Sequence, residues 1–267
     1  MLTLSKALLA FSLYLLPGQA QSSTRQFFEN SIRTDPRGPE KYWTAKVDKC
    51  SAFFVESNNH KVYVASASHC FGYDVKDWCQ TKGIVTTYNG IVGRCTKVIA
   101  TDEHYDIVLF ETDHSKYNIY RYLRLASFAP PLYSRLIMTG HPGDPNRKGR
   151  MTSTFNCWTL QSTIASPYIG TYFNLYDTSS LHNCSTYGGN SGGPLYLEGT
   201  NIAIGLPYTY RPHDFNLRDP WDLDTAAYLA QIGDFVTRNR QKLNQAGITI
   251  VESLPSHLNF QPRPLKD

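Results

Sequence analysis

The sequence has no dense tract of lysine or arginine. Its formal net charge over 267 residues is only +4, with both signs mixed along the chain. That argues against a nucleic-acid partner or a charged membrane surface, both of which need a concentrated basic patch. Beyond residue 20 there is no apolar run approaching the about 20 residues that cross a bilayer, so no membrane span is expected. No Cys-x-x-Cys pair occurs, and the eight histidines sit at no ligand spacing, so no metal site is expected. Internal repeats and low-complexity segments are also missing, which excludes solenoids and disordered arrays.

What is present begins with Met1 to Ala20. Lys6 supplies a positive start, Ala7 to Leu16 an apolar stretch, and Gly18-Gln19-Ala20 a small-x-small cleavage site. This is the pattern of a secretory signal peptide, and it predicts a secreted, soluble chain starting near Gln21. All six cysteines come after it, an even number suited to disulfides in an oxidising compartment. Residues 21–41 are polar, carry Asp35-Pro36-Arg37-Gly38-Pro39, and form a tail, an activation segment or a surface strap.

Aromatic content is high, with 18 tyrosines and 13 phenylalanines, and β-branched and aromatic residues recur in short runs. Such runs favour an all-β chain. A first set comprises Cys50 to Glu56, Lys61 to Ala67, Ile84 to Tyr88, Ile91 to Ala100 and Ile107 to Phe110. Within it Asn89-Gly90 is a strong hairpin signal. Tyr117 to Pro131 is a connection with a short strand. A second set comprises Ser134 to Thr139, Met151 to Ser162, Thr171 to Tyr176, Pro194 to Leu197 and Ile202 to Leu206. Between Thr225 and Arg240, apolar residues Ala226, Ala227, Leu229, Ile232, Phe235 and Val236 recur at helical spacing, with Arg238 and Arg240 near the negative end of the dipole. Two strand sets and one helix predict two β-barrels side by side, over residues 42–125 and 126–224. A helix over 225–240 and a tail over 241–267 complete the chain.

The chemistry centres on Gly188-Gly189-Asn190-Ser191-Gly192-Gly193-Pro194, four glycines around one hydroxyl. Glycine tolerates positive φ and close backbone approach, so this loop can hold a serine oxygen outward and leave converging N–H groups to bind an oxyanion. It also fits a plain hairpin turn. A serine nucleophile needs a base, and the base needs an orienting group. His69 stands just past an apolar strand beside Cys70, and Asp106 stands at the mouth of Ile107 to Phe110. Singly, a histidine at a strand end is more often structural, and an aspartate before a strand is usually a turn former. Their order, His69, Asp106, Ser191, is the histidine–aspartate–serine order of one known triad architecture.

Ala65-Ser66-Ala67-Ser68-His69-Cys70, Asp106-Ile107-Val108-Leu109 and Gly189-Asn190-Ser191-Gly192-Gly193-Pro194 resemble the three signature segments of trypsin-like serine peptidases. Thr139-Gly140-His141-Pro142-Gly143-Asp144 resembles a turn of the secreted glutamyl endopeptidase branch, and Asn190 suits that branch too. The resemblance covers roughly residues 45 to 240. It implies an all-β fold of two six-stranded antiparallel, chymotrypsin-like barrels with a C-terminal α-helix. The implied activity is that of a serine endopeptidase that acts on peptide or protein substrates, as a monomer, without metal or organic cofactor. His69 would be the general base, Asp106 its orienting partner, Ser191 the nucleophile, and the N–H groups of Gly189 and Ser191 the oxyanion hole. A catalytically silent binding protein on the same barrels is the alternative.

The departures from the family pattern are also informative. Asn190 stands where digestive relatives carry an aspartate that pairs with a newly cut amino terminus, and no matching cleavage site occurs near residues 33–48. Activity is therefore expected without such an event. Ser185 holds the position of the pocket floor, so a preference for basic residues is not expected. The glutamyl branch places a histidine on the strand here formed by Ile204 to Thr209, which has none, although His213 is nearby. A pocket of Ser185, Thr186, Leu206 and Tyr208 implies a neutral or apolar preference. The resemblance pairs Cys50 with Cys70; nearness in the expected barrels then pairs Cys79 with Cys95 and Cys157 with Cys184. The sequon Asn183-Cys184-Ser185 lies too close to the serine loop to be an expected glycosylation site.

Overall fold

The computed structural model describes residues 32–34, 36, 38–72, 74–131, 134–142, 150–160, 180–182, 184, 188–208 and 228–256. The signal segment and Thr171 to Tyr176 lie outside the described residues. In chain order the strands begin with β1 (Ile32–Thr34), followed by a one-turn helix, α1 (Glu40–Trp43). Then come β2 (Thr44–Val47), β3 (Cys50–Val55), β4 (Val62–Ala67), helix α2 (Val75–Thr81), β5 (Ile84–Thr87), β6 (Val92–Asp102) and β7 (Ile107–Thr112). The order β2-β3-β4-β7-β6-β5 closes into a six-stranded barrel.

The second half contributes β8 (Arg124–Ala126), β9 (Arg135–Gly140), β10 (Thr152–Leu160), β11 (Ser180–His182), β12 (Leu195–Leu197) and β13 (Ile202–Tyr208). It ends with β14 (Tyr228–Gln231), helix α3 (Ile232–Gln245) and β15 (Ile250–Val251). Here β12-β9-β10-β11-β14-β13 are hydrogen-bonded in sequence, and β12 also pairs with β13, so these six strands return upon themselves. Strand β1 lies along β10, and β8 and β15 run parallel outside the ring. The fold is the mostly-β chymotrypsin type.

Every residue of β3 and β4 is buried. Alternation nevertheless operates, because each face meets a different core. Ala52, Phe54, Val62 and Val64 fill the first barrel with Val108 and Phe110. Phe53, Val55, Tyr63 and Ala65 pack outward against Leu123, Leu206, Phe235 and Val236, a core shared with the second half and with α3. Leu136, Met138, Leu195, Ile202 and Ile204 fill the second ring. Both faces of β4 are therefore fixed by packing, and its end, where His69 is attached, is held in place.

The C-terminal helix differs from its expected bounds. Residues 228–231 form β14, because their backbone completes two ladders, with β11 and β13, which a helix there would leave open. The helical period starts at Ile232 and runs on, since Ile232, Phe235, Val236, Asn239 and Leu243 are all buried. It ends in a Schellman closure. Ile248 N–H donates to Leu243 C=O (3.0 Å) and Gly247 N–H to Asn244 C=O (2.9 Å), with Gly247 at φ +67°. A side chain at Gly247 would also strike Asn58 Oδ1. Helix α2 was not anticipated; Asp74 caps it by accepting from Asp77 N–H (2.9 Å) while Val75, Trp78 and Cys79 face the core.

Candidate active site

His69 lies on a single 3-10 turn, Ser68–Phe71, where β4 runs out. The next residue, Cys70, is bonded to Cys50 at the start of β3, which pins the turn to the neighbouring strand. Cys79–Cys95 and Cys157–Cys184 are also bonded, as expected. The first ties α2 to β6 and the second lies in the core of the second ring. The Cys50 and Cys70 sulfurs lie close to His69 but are spent on each other, leaving the imidazole as the one metal-capable group of that cluster.

Asp106 immediately precedes β7 with φ +54°, a left-handed backbone that a non-glycine residue adopts at a cost. It is 7% exposed, and its carboxylate is fully engaged. Oδ1 accepts from Ser68 Oγ (2.7 Å) and from His69 N–H (2.8 Å), and Oδ2 lies 2.5 Å from His69 Nδ1. Ser68 N–H also donates to the Asp106 carbonyl (3.0 Å). The aspartate thus holds both the backbone and the ring of His69. A carboxylate acceptor favours a proton on Nδ1, which puts the lone pair of the neutral ring on Nε2, where it can act as a base.

Ser191 sits in the glycine loop, 4% exposed. Gly189 and Gly192 have φ of +95° and +79°, and Gly193 N–H donates to Asn190 C=O (2.8 Å), closing a tight turn. Close approach explains the second pair of glycines. A Cβ on Gly192 would come within 2.2 Å of Ser66 Oγ and 2.6 Å of Ala67 N, and one on Gly193 within 2.2 Å of the Thr139 carbonyl. The loop is pressed against the end of β4, the strand that delivers His69. Cys70 Sγ lies 3.9 Å from His69 Nε2 and 3.8 Å from the Ser191 carbonyl oxygen, so the disulfide borders both residues.

Three further side chains hold this arrangement and were not singled out from the sequence: Ser51, Ser66 and Ser68. Ser66 Oγ donates to the Ser51 carbonyl (2.7 Å), and Ser51 N–H donates to the Ser191 carbonyl (2.9 Å). The signal for Ser66 and Ser68 was the run of small and hydroxyl residues before His69, which becomes informative only once the loop is known to pack there; Ser51, on β3, lies outside that run. Asn190 is buried, with Oδ1 turned to where a Gly140 side chain would stand. Of the expected pocket, Ser185 and Thr186 lie outside the described residues, as do Gly143 and Asp144. Leu206 is 1% exposed and packs in the shared core. Tyr208 is placed by its backbone alone, paired with Tyr228. A cleft of about 1080 Å³ lined by Glu40, Trp43, Tyr122, Arg124 and Tyr196 contains none of the three candidate residues.

Comparison with known proteins agrees with this fold. No curated protein matches the chain by sequence. Among solved structures, kallikrein-related peptidase 10 is similar at 14% identity and TM-score 0.55, over 79% of this chain and 100% of that one. Human heparin binding protein is similar at 13% identity and TM-score 0.54, over 84% and 99%. Neuropsin, a serine protease expressed in the limbic system of mouse brain, is similar at 14% identity and TM-score 0.56, over 78% and 97%. At these identities the likeness is one of fold. The profile of the trypsin-like peptidase domain matches residues 50–206, the stretch that holds His69, Asp106 and Ser191, and the chain belongs to that family.

Proposed function

We propose that the protein is a secreted serine endopeptidase that hydrolyses peptide bonds through an acyl-enzyme on Ser191. The observation that carries this reading is the Asp106 carboxylate, which accepts from the His69 backbone and ring at once and so leaves Nε2 as the basic nitrogen of the imidazole. In that role Nε2 takes the Ser191 proton as Oγ attacks the substrate carbonyl. The oxyanion of the tetrahedral intermediate is bound by the Gly189 and Ser191 N–H groups. The imidazolium, stabilised by Asp106, gives its proton to the departing amine, leaving the acyl ester. A water then repeats the cycle and frees the carboxylic acid.

The three disulfides support an oxidising, extracellular setting. A place near the glutamyl endopeptidase branch rests on Gly140-His141-Pro142 and on Asn190, while Ser185 favours a neutral or apolar residue at the cleavage position over an acidic or basic one. The test is a peptide library incubated with the purified chain, with Ser191→Ala as control. Cleavage after neutral or apolar residues, absent from the control, is expected. Equal cleavage by the control would refute the role of Ser191, and exclusive cutting after glutamate or arginine would refute the assigned preference.

A further inference from the structure

A serine peptidase works only while its oxyanion donors keep their aim, so something must hold the loop around Ser191 rigid. Among the described residues the side chain of Asn190 offers no such hold. It is 1% exposed, and among the described residues neither its Oδ1 nor its Nδ2 has a hydrogen-bond partner. The restraint comes from the other barrel. Ser51, second residue of β3 and fully buried, reaches the loop through its backbone N–H and its hydroxyl. Its N–H donates to the Ser191 carbonyl (2.9 Å), and its hydroxyl donates to the Gly189 carbonyl (2.7 Å). The same hydroxyl accepts from His141 N–H (2.7 Å), at the end of β9. Its own carbonyl accepts from Ser66 Oγ on β4.

We propose that Ser51 is the positioning residue of the catalytic loop, with its hydroxyl fixing the Gly189-Asn190 peptide, which lies between the Gly189 and Ser191 N–H groups, and thereby the oxyanion hole. The inference rests on the peptidase reading above. One hydroxyl holds one donor and one acceptor from two segments of the second barrel, and both are backbone groups that would otherwise lose a partner. Among the described residues each of these partners of Ser51 is a neutral group of the folded chain, so these contacts need neither a charge nor a new amino terminus. Gly140 takes part by being small, since a Cβ there would come within 2.7 Å of Asn190 Oδ1 and 2.9 Å of Ser51 Oγ.

The test compares full-length wild type, Ser51→Ala and Ser51→Thr on a peptide substrate chosen by library profiling. A peptide boronic acid reports the tetrahedral state, and the product peptide acid reports ground-state binding. Loss of a whole oxyanion donor costs about 10²–10³-fold in kcat, so loss of its aim in Ser51→Ala should cost about 10–100-fold. KM and product affinity should stay within about twofold, while boronate affinity falls in step with kcat/KM. Ser51→Thr keeps the hydroxyl and should keep kcat, which also serves should Ser51→Ala not fold. A folded Ser51→Ala with wild-type kcat would overturn the proposal. So would a folded Ser51→Thr as slow as the alanine variant, or an equal loss of boronate and product affinity. A wild type that hydrolyses nothing and takes no serine-directed probe would overturn the peptidase reading itself, and this one with it.

Discussion

Replacing Asp106 by asparagine isolates the electrostatic part of the site. Asparagine tolerates the left-handed backbone that this position needs (φ +54°), so the change does not strain the turn. The neighbours then dictate how the carboxamide lies. Oδ1 of Asp106 receives two donors, Ser68 Oγ and His69 N–H, and the second, a backbone N–H, cannot turn to accept. The asparagine oxygen must take that place, which turns its NH2 toward His69 Nδ1. Nδ1 becomes an acceptor, the ring proton moves to Nε2, and the base that should take the Ser191 proton is lost. In serine peptidases this wrong tautomer lowers kcat by about 10⁴-fold, or roughly 5.5 kcal/mol of barrier. Asp106 is 7% exposed and lies behind the ring, so KM should hardly move. Folding should weaken only by the difference between charged and neutral hydrogen bonds, about 1–2 kcal/mol. The assay is steady-state hydrolysis of a library-derived peptide with a thermal melt alongside. A folded Asp106→Asn variant within about tenfold of wild-type kcat would refute the assignment of Asp106, because no orienting role survives that tautomer.

Removing the Cys50–Cys70 bond as a double alanine variant releases a loop spanning 20 residues and should cost about 3 kcal/mol. In a domain of this size that is a drop of roughly 6–12 °C in Tm. Activity should fall further than stability alone explains, since the bond pins the His69 turn; a variant that melts early but turns over normally at low temperature would contradict this. His114 is buried against Phe54 with Nδ1 3.0 Å from Thr112 Oγ1. Burial pushes its pKa below the ordinary 6.5, against the opposing pull of the Ile91 backbone and Asp113. The unfolded chain then binds the proton first, so this stability is present above about pH 6.5 and is lost on acidification below it. His114→Gln should flatten the melting profile between about pH 7 and 5; an unchanged slope would refute the assignment to His114.

Most of the first barrel is legible in the sequence because its strands are bounded by turns with strong local chemistry, such as Asn89-Gly90, and β3, β4 and β7 carry apolar residues on both faces; β2, the short strand Thr44–Val47, was not singled out. The three candidate residues are legible for a different reason. Their identities are dictated by chemistry and their neighbours by close approach, as Gly192 and Gly193 illustrate. Features that local pattern missed are decided at a distance. Tyr228 to Gln231 share the helical period of Ile232 to Val236, yet two remote strands recruit them into a ladder. Ser51 looks like any small strand residue, and its contact with the serine loop exists only because a segment 138 residues later packs against it. Leu206 was expected in a pocket and lies in the core, since its face of β13 meets α3 and not the solvent.

The central claim is that the imidazole of His69 activates the hydroxyl of Ser191. Its most direct measurement is reaction with a fluorophosphonate probe, with the modified residue located by peptide mass spectrometry. The account predicts a single adduct on Ser191 in the wild type, none in Ser191→Ala, and greatly slowed labelling in His69→Ala. Labelling that persists in Ser191→Ala, or that proceeds at the same rate without His69, would contradict it.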